Sequence, residues 1–318
     1  MSGEALIGVD LGGTGLRAGV VTPGGKVRAS AKRLTPVPAE AEAVADAIAE
    51  VAREAAEAAG ISVDAAAGVG VAAAGAVERD EGMVLAAPNL EWRNVPLGAL
   101  LRARLGRSVA LENDVNAATW AEWKVGAGAG AQDLLGVWIG TGVGGGLILG
   151  GRLYSGPLRT AGEIGHMVLF PDAPVGARKL EQSTSRAVIA RRLLEEAAAG
   201  APTRLRELTA DFSRPIDSAM MAEAFRAGDE LTVRTITRAM ELLGSTIASV
   251  VTLLSLQRIV LGGSLTDCLG QDLCDLVQAR AREDVFPPEL AGLMVEPSRL
   301  GDDAGVIGAA LLGRGDVS

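Results

Sequence analysis

The sequence has few aromatic residues, few cysteines and no excess of basic residues. Phe, Trp and Tyr make up 3% of the 318 residues, so a core has to be built from Ala, Val, Leu and Ile. Cys268 and Cys274 are too few for a four-cysteine zinc site and indicate no disulfide framework. The formal net charge of -9 argues against a broad nucleic-acid interface, because duplex phosphates demand clustered Lys and Arg.

Long hydrophobic runs are also missing. The longest nearly apolar run, around residues 247–256, is far shorter than the roughly 20 residues that a membrane-spanning helix needs. The first residues, Met1-Ser2-Gly3-Glu4, lack the basic and apolar regions of a signal peptide. We therefore expect a cytoplasmic protein that binds neither membranes nor nucleic acid.

What is present is typical of a globular α/β protein, with 48% hydrophobic residues and a length that fits about two domains. Apolar runs, glycine turns and Ala/Glu-rich stretches predict strands and helices in alternation. The predicted strands are 6–10, 16–21, 68–73, 109–111 and 258–261, and the predicted helices are 40–59, 115–124, 180–199, 216–227, 230–256 and 304–312.

The opening of the chain recurs near its middle. Residues 6–9 resemble residues 134–137, and the turn Gly12-Gly13-Thr14-Gly15 resembles Gly140-Thr141-Gly142. Each turn is followed by an apolar strand and a Gly-Gly pair. Chance accounts for part of so short a match, but the shared order of elements favours a duplication. The repeat predicts two lobes built on the same plan.

Both glycine turns are candidate phosphate sites. Only residues without Cβ let several backbone N–H groups approach a phosphate closely. The first turn offers Gly12, Gly13 and the hydroxyl of Thr14, and Asp10 just before it is a candidate to hold Mg²⁺ through water. The second turn offers Gly140, Thr141, Gly142, Gly144 and Gly145. The alternative is that both are tight turns without a ligand, which their equivalent placement disfavours.

Two familiar nucleotide-binding motifs are excluded. Gly140, Gly142 and Gly145 have the spacing of a dinucleotide-binding fingerprint, but that fingerprint opens a helix. Here an apolar strand and a Gly-Gly turn follow. The chain also lacks the glycine–lysine motif of P-loop proteins. The two turns therefore predict β-hairpins.

Acidic residues and one histidine are candidates for the chemistry. Asp114 lies where a strand gives way to a helix, a position that suits either an N-cap or a base that accepts a hydroxyl proton. His166 is the only histidine, and a lone histidine is more often structural; its closeness to Glu163 favours a pair that hydrogen-bonds sugar hydroxyls. Glu181 is either a further ligand or an acid in the first turn of a helix.

Taken together, these segments resemble the ROK family of sugar kinases and sugar-responsive repressors, within the hexokinase/actin/Hsp70 superfamily. The resemblance covers essentially the whole chain, in family order, and within the family it is strongest to glucokinases, through residues 73–75 and 87–90. The motifs that carry it are Asp10-Leu11-Gly12-Gly13-Thr14, Glu112-Asn113-Asp114-Val115-Asn116, residues 140–146, Ala161-Gly162-Glu163-Ile164-Gly165-His166, Gly262-Gly263-Ser264 and residues 300–304.

The resemblance implies a fold and a set of roles. The fold would be a two-lobed actin/hexokinase-like (ribonuclease H-like) α/β fold with duplicated β-sheet cores and an interlobe cleft that binds the sugar. Asp114 would be the catalytic base of ATP- and Mg²⁺-dependent phosphorylation of a hexose, with glucose as the first choice. Asn113, Glu163, His166 and Glu181 would bind the sugar, Gly75 would line its pocket, and Gly262 and Gly263 would lie beside the adenosine. The family also implies a homodimer.

One segment departs from the family pattern. Many members carry a cysteine-rich loop after the histidine, which binds structural zinc together with that histidine. Residues 167–180 contain no cysteine, so a zinc site with three thiolates cannot form there. We therefore expect no zinc, and we expect His166 to be oriented by packing and hydrogen bonds.

The expected organisation is a small lobe of residues 1–112 plus 303–318 and a large lobe of residues 113–302. The alternatives are a kinase for another hexose or N-acylhexosamine, such as mannose, fructose, allose or N-acetylmannosamine, a polyphosphate-dependent glucokinase, a kinase that forms acyl phosphates, and a non-enzymatic sugar sensor. The family's repressors carry a winged helix before the core, whereas this sequence begins its first core strand near residue 5. That start, the acidic charge and the presence of Asp114 favour an enzyme.

Overall fold

The structure, a computed structural model, describes residues 4–315. Met1, Ser2 and Gly3 of the segment compared with a signal peptide, and the outermost residues of the expected small lobe, lie outside the described residues. The strands are Leu6–Leu11 (β1), Gly15–Val21 (β2), Val27–Leu34 (β3), Gly68–Ala73 (β4), Ala76–Glu78 (β5), Met83–Ala87 (β6), Trp92–Val95 (β7), Ala110–Asn113 (β8), Leu134–Ile139 (β9), Val143–Leu149 (β10), Arg152–Tyr154 (β11), Arg258–Gly262 (β12) and Met294–Pro297 (β13).

The helices occur between and after these strands. They are Ala41–Ala58 (α1), Leu97–Leu105 (α2), Asp114–Val125 (α3), Glu181–Thr184 (α4), Arg186–Ala198 (α5), Leu205–Leu208 (α6), Ser218–Arg226 (α7), Glu230–Leu254 (α8), Ser264–Leu269 (α9), Gln271–Asp284 (α10) and Ala304–Gly313 (α11). The helix expected at 180–199 is interrupted at Ser185, whose side chain caps α5 by accepting a hydrogen bond from the N–H of Val188. The other expected helices and strands agree with the structure to within a few residues.

Two five-stranded sheets share one strand order. The first is β3-β2-β1-β4-β8 and the second is β11-β10-β9-β12-β13. In the first sheet β4 and β8 run parallel to β1, whereas β2 and β3 form antiparallel pairs on its other side. In the second sheet β12 runs parallel to β9, and β13 runs parallel to β12. The predicted duplication of the sheet core is therefore confirmed.

The chain divides into two compact units. Unit 1 comprises residues 1–132, 146–161 and 302–318, and unit 2 comprises residues 133–145 and 162–301. Unit 1 contains the first sheet, the small antiparallel sheet β5-β6-β7 and helices α1, α2, α3 and α11. Unit 2 contains β9, β12 and β13 with helices α4 to α10. These bounds differ from those of the expected lobes, which stay a prediction.

Helix α11 packs tightly on the first sheet and on α3. A Cβ on Gly8 of β1 would overlap the carbonyl oxygen of Val306, and a Cβ on Gly70 of β4 would overlap that of Ala309. On the side of α3, a Cβ on Gly308 would overlap the carbonyl oxygen of Ala117. Glycine therefore lets three backbones approach closely around α11, and this fixes the start of α3, where Asp114 lies.

Helix α8 is the longest helix in the described part of the chain. By length and composition alone it would suit a membrane span, yet half of its most apolar window is buried within the protein. Its buried face packs against α10, α5 and α7. A single helix of this kind is also found in the cores of soluble proteins, so it carries little weight as a sign of a membrane.

Candidate active site

Asp114 is the first residue of α3, directly after the strand β8. Its Oδ1 accepts hydrogen bonds from the backbone N–H of Val115 at 2.9 Å and from Nδ2 of Asn113 at 3.0 Å. The N-cap of the helix is Asn113, whose Oδ1 accepts from the N–H of Asn116 at 3.0 Å. The interpretation of Asp114 as the N-cap was therefore wrong, because the preceding side chain performs that task. Capping therefore does not account for the carboxylate of Asp114.

Asn113 connects the start of α3 to Gly75. Its Nδ2 donates to the carbonyl oxygen of Gly75 at 2.9 Å as well as to Asp114. Both N–H bonds of this amide are thus used within the protein. Gly75 has φ of +118°, and a Cβ there would overlap the carbonyl oxygen of Ala86, so the position requires glycine. Asn113 and Gly75 lie together at the carboxyl ends of the neighbouring parallel strands β8 and β4.

Asp10, near the end of β1, has a pKa raised to about 7. Burial is the largest cause, followed by the negative charge of Asp114; Arg17 lowers the pKa and Asp302 raises it further. The side chain packs against the start of α11, where a Cβ on Gly305 would lie 2.8 Å from Oδ2 of Asp10. When Asp10 is ionised, its surroundings therefore compensate its negative charge poorly.

The charges around Asp10 suit a hydrated cation. Arg17 pairs with Asp303 and donates from Nη1 to the carbonyl oxygen of Asp302 at 2.8 Å. Its charge is thus shared with another carboxylate. Among residues 4–315 no three His, Cys, Asp or Glu side chains lie close enough together to ligate a metal directly. A Mg²⁺ ion held by Asp10 through water fits this arrangement, since Mg²⁺ retains several waters in most sites.

The first glycine turn connects β1 to β2. The N–H of Gly12 donates to the carbonyl oxygen of Gly15 at 2.9 Å, and the hydroxyl of Thr35 donates to the carbonyl oxygen of Gly12 at 2.7 Å. The side chain of Thr14 is exposed, and Gly12 and Gly13 are half-buried. The expected β-hairpin is therefore present, with a glycine turn fixed by its neighbours.

The second glycine turn connects β9 to β10 in unit 2. The N–H of Gly140 donates to the carbonyl oxygen of Gly142 at 2.9 Å. Glu181 lies against this turn, because its Oε2 accepts from the N–H of Val143 at 2.9 Å and a Cβ on Gly142 would overlap it. The structure thus joins Glu181, expected to bind sugar, to a turn expected to bind phosphate. Gly144 and Gly145 follow within β10, and Gly145 is buried.

Gly262 and Gly263 follow β12, the strand beside β9. A Cβ on Gly262 would lie 2.5 Å from Nε1 of Trp138, and a Cβ on Gly263 would overlap the carbonyl oxygen of Ile139. Both glycines therefore lie against the end of β9, immediately before the turn at Gly140. In unit 2 the glycines expected at the adenosine and at the phosphates are neighbours in space.

His166 ends a short 3-10 segment, Ile164–His166, which Glu163 precedes and which packs on β10. A Cβ on Gly145 would overlap the carbonyl oxygen of Gly162, and a Cβ on Gly165 would overlap that of Val143. Nε2 of His166 is 3.9 Å from Oε2 of Glu163, and about half of each side chain is exposed. The two side chains therefore lie close together, with polar atoms that solvent can reach.

Lys179 contacts the other nitrogen of the His166 ring. Its Nζ lies 2.9 Å from Nδ1 of His166. An ammonium can only donate, so Nδ1 is the acceptor and Nε2 carries the hydrogen. A bridge between Val168 and Lys179, with the N–H of Leu180 donating to the carbonyl oxygen of Met167 at 3.0 Å, closes the loop that lacks cysteines. No motif in the sequence indicates that this lysine lies beside the histidine.

The expected site residues fall into two groups. Unit 1 holds Asp10, Gly12, Gly13, Thr14, Gly75, Asn113 and Asp114, and unit 2 holds Gly140, Thr141, Gly142, Gly144, Glu163, His166, Glu181, Gly262 and Gly263, with Gly145. Sequence reasoning missed Lys179 and also Arg79, which lies 3.2 Å from the buried carboxylate of Glu112. Arg79 follows a three-residue strand and matches no motif, so only the fold reveals its partner.

Comparison with known proteins decides the family. The model of the ROK family matches residues 6–315. The chain belongs to the ROK family. It is 34% identical over 322 residues to a glucokinase of Streptomyces coelicolor (97% of each chain), and 31% identical over 309 residues to a glucokinase of Thermotoga maritima (96% of each).

A solved ROK structure matches the whole architecture. The crystal structure of a ROK family glucokinase from Streptomyces griseus, in complex with glucose and AMPPNP, matches with a TM-score of 0.86 and 34% sequence identity. The match covers 98% of this chain and 99% of that one. The predicted fold class, an actin/hexokinase-like α/β fold with duplicated sheets, is confirmed.

Proposed function

We propose that this ROK protein is an ATP-dependent glucokinase that converts glucose to glucose 6-phosphate. Two glucokinases match nearly the whole chain, and a ROK glucokinase that binds glucose and an ATP analogue shares its fold. The observation that carries the proposal is Asp114, a carboxylate fixed at the start of α3 by Val115 and Asn113. A hexose kinase needs such a group to orient the attacking hydroxyl and to accept its proton.

The proposed reaction is an in-line phosphoryl transfer. The 6-hydroxyl oxygen of glucose attacks the γ-phosphorus of ATP, the bond from that phosphorus to the leaving oxygen of ADP breaks, and the hydroxyl proton passes to the carboxylate of Asp114. The hydrogen bonds on Oδ1 of Asp114 hold the base in place for this step. A bound Mg²⁺, held by Asp10 through water, would neutralise charge on the phosphate oxygens.

We propose that the expected glycines and polar residues bind the two substrates. Backbone N–H groups of Gly12, Gly13 and Thr14 and of residues 140–145 would contact phosphate oxygens, and Gly262 and Gly263 would lie beside the adenosine. Glu163 and His166 offer an acceptor and a donor to sugar hydroxyls, and Asn113, Glu181 and Gly75 complete the proposed sugar site. A polar site of this kind discriminates strongly against sugars that leave its groups unpaired.

We also propose a cytoplasmic homodimer that supplies glucose 6-phosphate to glycolysis. Cys268 and Cys274 form no disulfide, which suits a reducing compartment, and a net charge of -9 suits no nucleic-acid partner. The dimer rests on the family resemblance, and light scattering coupled to size-exclusion chromatography tests it.

The deciding experiment is a coupled ADP-release assay with ATP over a panel of sugars. We expect the highest kcat/KM with glucose, and Asp114→Asn should lower kcat by roughly 100-fold or more while glucose binding is largely kept. A higher kcat/KM with mannose, fructose, allose or an N-acylhexosamine would assign a different sugar substrate to the same kinase reaction. A preference for polyphosphate over ATP would change the donor. No release with any sugar, or a near-normal Asp114→Asn variant, would refute the kinase mechanism and favour a non-enzymatic sensor.

A further inference from the structure

Glu112 is a buried acid that the reaction proposed above does not use. It precedes Asn113 and Asp114 in the chain, and only 2% of it is exposed. Its Oε1 accepts from the N–H of Asn113 at 2.9 Å and from Nδ2 of Asn116 at 3.1 Å. The carboxylate thus lies under the first turn of α3, where it holds the residues on both sides of Asp114. A charge at a helix N-terminus is favoured there by the helix dipole.

Arg79 supplies the positive charge that faces Glu112. Its Nε is 3.2 Å from Oε2 of Glu112. The acids on either side of Arg79 are engaged elsewhere, because Arg159 donates to Glu78 at 3.2 Å and to Asp80 at 2.9 Å. Within residues 4–315 Glu112 is the acid that Arg79 contacts in an ion pair, and the charge of Arg79 also lowers the pKa of Glu78.

The segment that carries Arg79 is attached to the start of α3 at a second point. This segment begins at Gly75, whose carbonyl oxygen accepts from Nδ2 of Asn113 at 2.9 Å. Gly75 and Arg79 flank the strand β5, so one short segment contacts both Asn113 and Glu112. Loss of the ion pair would release one of these two attachments and let the first turn of α3 shift.

We propose that Glu112, paired with Arg79, is a positioning residue that orients Asn113 and Asp114 for phosphoryl transfer. The inference rests on the proposed glucokinase function. A shift of about 1 Å in a catalytic group can cost roughly 100-fold in rate, so even a small movement of this turn has a measurable effect.

The ionisation of Glu112 gives the inference a pH signature. Burial raises the pKa of Glu112, and Arg79 is the largest influence that lowers it, followed by Asn116, Asn113 and Arg159. The charged groups that face the carboxylate are therefore Arg79 and, farther away, Arg159. Without Arg79 the pKa of Glu112 rises further, and the carboxyl becomes protonated at a higher pH.

The test measures kcat and KM for glucose against pH in wild type, Glu112→Gln and Arg79→Gln. Glu112→Gln should lower kcat by about 10-fold or more. In Arg79→Gln the fall of kcat on the acid side should begin at a higher pH, and Arg79→Lys should restore the wild-type profile. The double variant should be no worse than Glu112→Gln alone, because the pair acts as a unit. Glu57→Gln and Arg93→Gln, both exposed, are the matched controls.

The outcomes separate this inference from the proposed function. If the wild type is active, two results overturn the positioning role only. One is a normal kcat in Glu112→Gln, and the other is an Arg79→Gln variant whose kcat falls at the same acidic pH as in wild type. If Glu112→Gln does not fold, the pH profile of Arg79→Gln decides. A wild type that phosphorylates no sugar overturns the glucokinase proposal and this inference with it.

Discussion

Asp10 and Asp114 bring two negative charges near each other in unit 1, and this repulsion lowers the stability of the folded protein. Burial and the charge of Asp114 raise the pKa of Asp10 to about 7. Its folded pKa is therefore above its unfolded value, so the folded state binds more protons between the two values. The free energy of unfolding then decreases as the pH rises from about 4 to about 7. Functional sites often carry such destabilising charges.

Asp10→Asn should separate stability from function. Removing the charge should raise the melting temperature of the ligand-free protein at pH 8 by about 5 °C, with a much smaller effect at pH 5, where Asp10 is already protonated. The same variant should lose most of its Mg²⁺-dependent activity. Differential scanning calorimetry at both pH values, with exposed Asp64→Asn as control, measures the effect; an equal shift at both pH values would contradict the assigned cause.

Lys179 determines the tautomer of His166, because its contact with Nδ1 leaves Nε2 as the ring nitrogen that carries the hydrogen and can donate it. Lys179→Met removes this donor, so Nδ1 is free to take the hydrogen and Nε2 to lose it. We expect KM for glucose to rise by about 10-fold with a smaller change in kcat, because a ligand contact is lost and the base is kept. Lys179→Arg should retain most of the affinity.

Steady-state kinetics with glucose measure this change, and exposed Lys32→Met is the matched control. An unchanged KM in Lys179→Met would show that the contact does not orient His166 for sugar binding.

At the scale of elements, α11 connects the first sheet to the helix that starts with Asp114. The close approach of backbones at Gly8, Gly70 and Gly308 leaves little freedom to shift α11. Gly308 of this helix is thus explained by packing, even though glycine weakens an isolated helix.

Gly308→Ala should lower the free energy of unfolding, whereas helix propensity alone would raise it. Alanine favours a helix by roughly 1 kcal/mol over glycine, yet its Cβ would overlap the carbonyl oxygen of Ala117. We expect a net loss of about 1 to 3 kcal/mol in the free energy of unfolding and a lower kcat, because α3 is displaced.

Urea denaturation measures the effect of Gly308→Ala. The control is Gly292→Ala, where no atom lies within 4 Å of the added Cβ and where stability should hardly change. A stabilised Gly308→Ala variant would mean that α11 and α3 separate easily.

At the scale of the whole molecule, the sheet topology was easier to predict from the sequence than the local contacts were. The repeat of glycine turns predicted two lobes built on the same plan, because a hairpin after a buried strand leaves a clear pattern of apolar runs and turns. The structure adds the shared strand order of the two sheets. Sequence reasoning left capping open as one role of Asp114 and gave Glu112 no role, since neighbouring polar residues of similar type compete for one cap. The partners Arg79 and Lys179 are distant in sequence from the residues they contact, and no spacing rule relates them.

The position of α11 has a consequence for biosynthesis. The strand β1, which packs against α11, leaves the ribosome among the first elements, whereas α11 leaves after every other described element. At roughly 5 to 20 residues per second, β1 waits tens of seconds for its partner. Unit 1 therefore completes its core only once α11 has been synthesised, and until then the faces of β1 and β4 that α11 covers lack this partner.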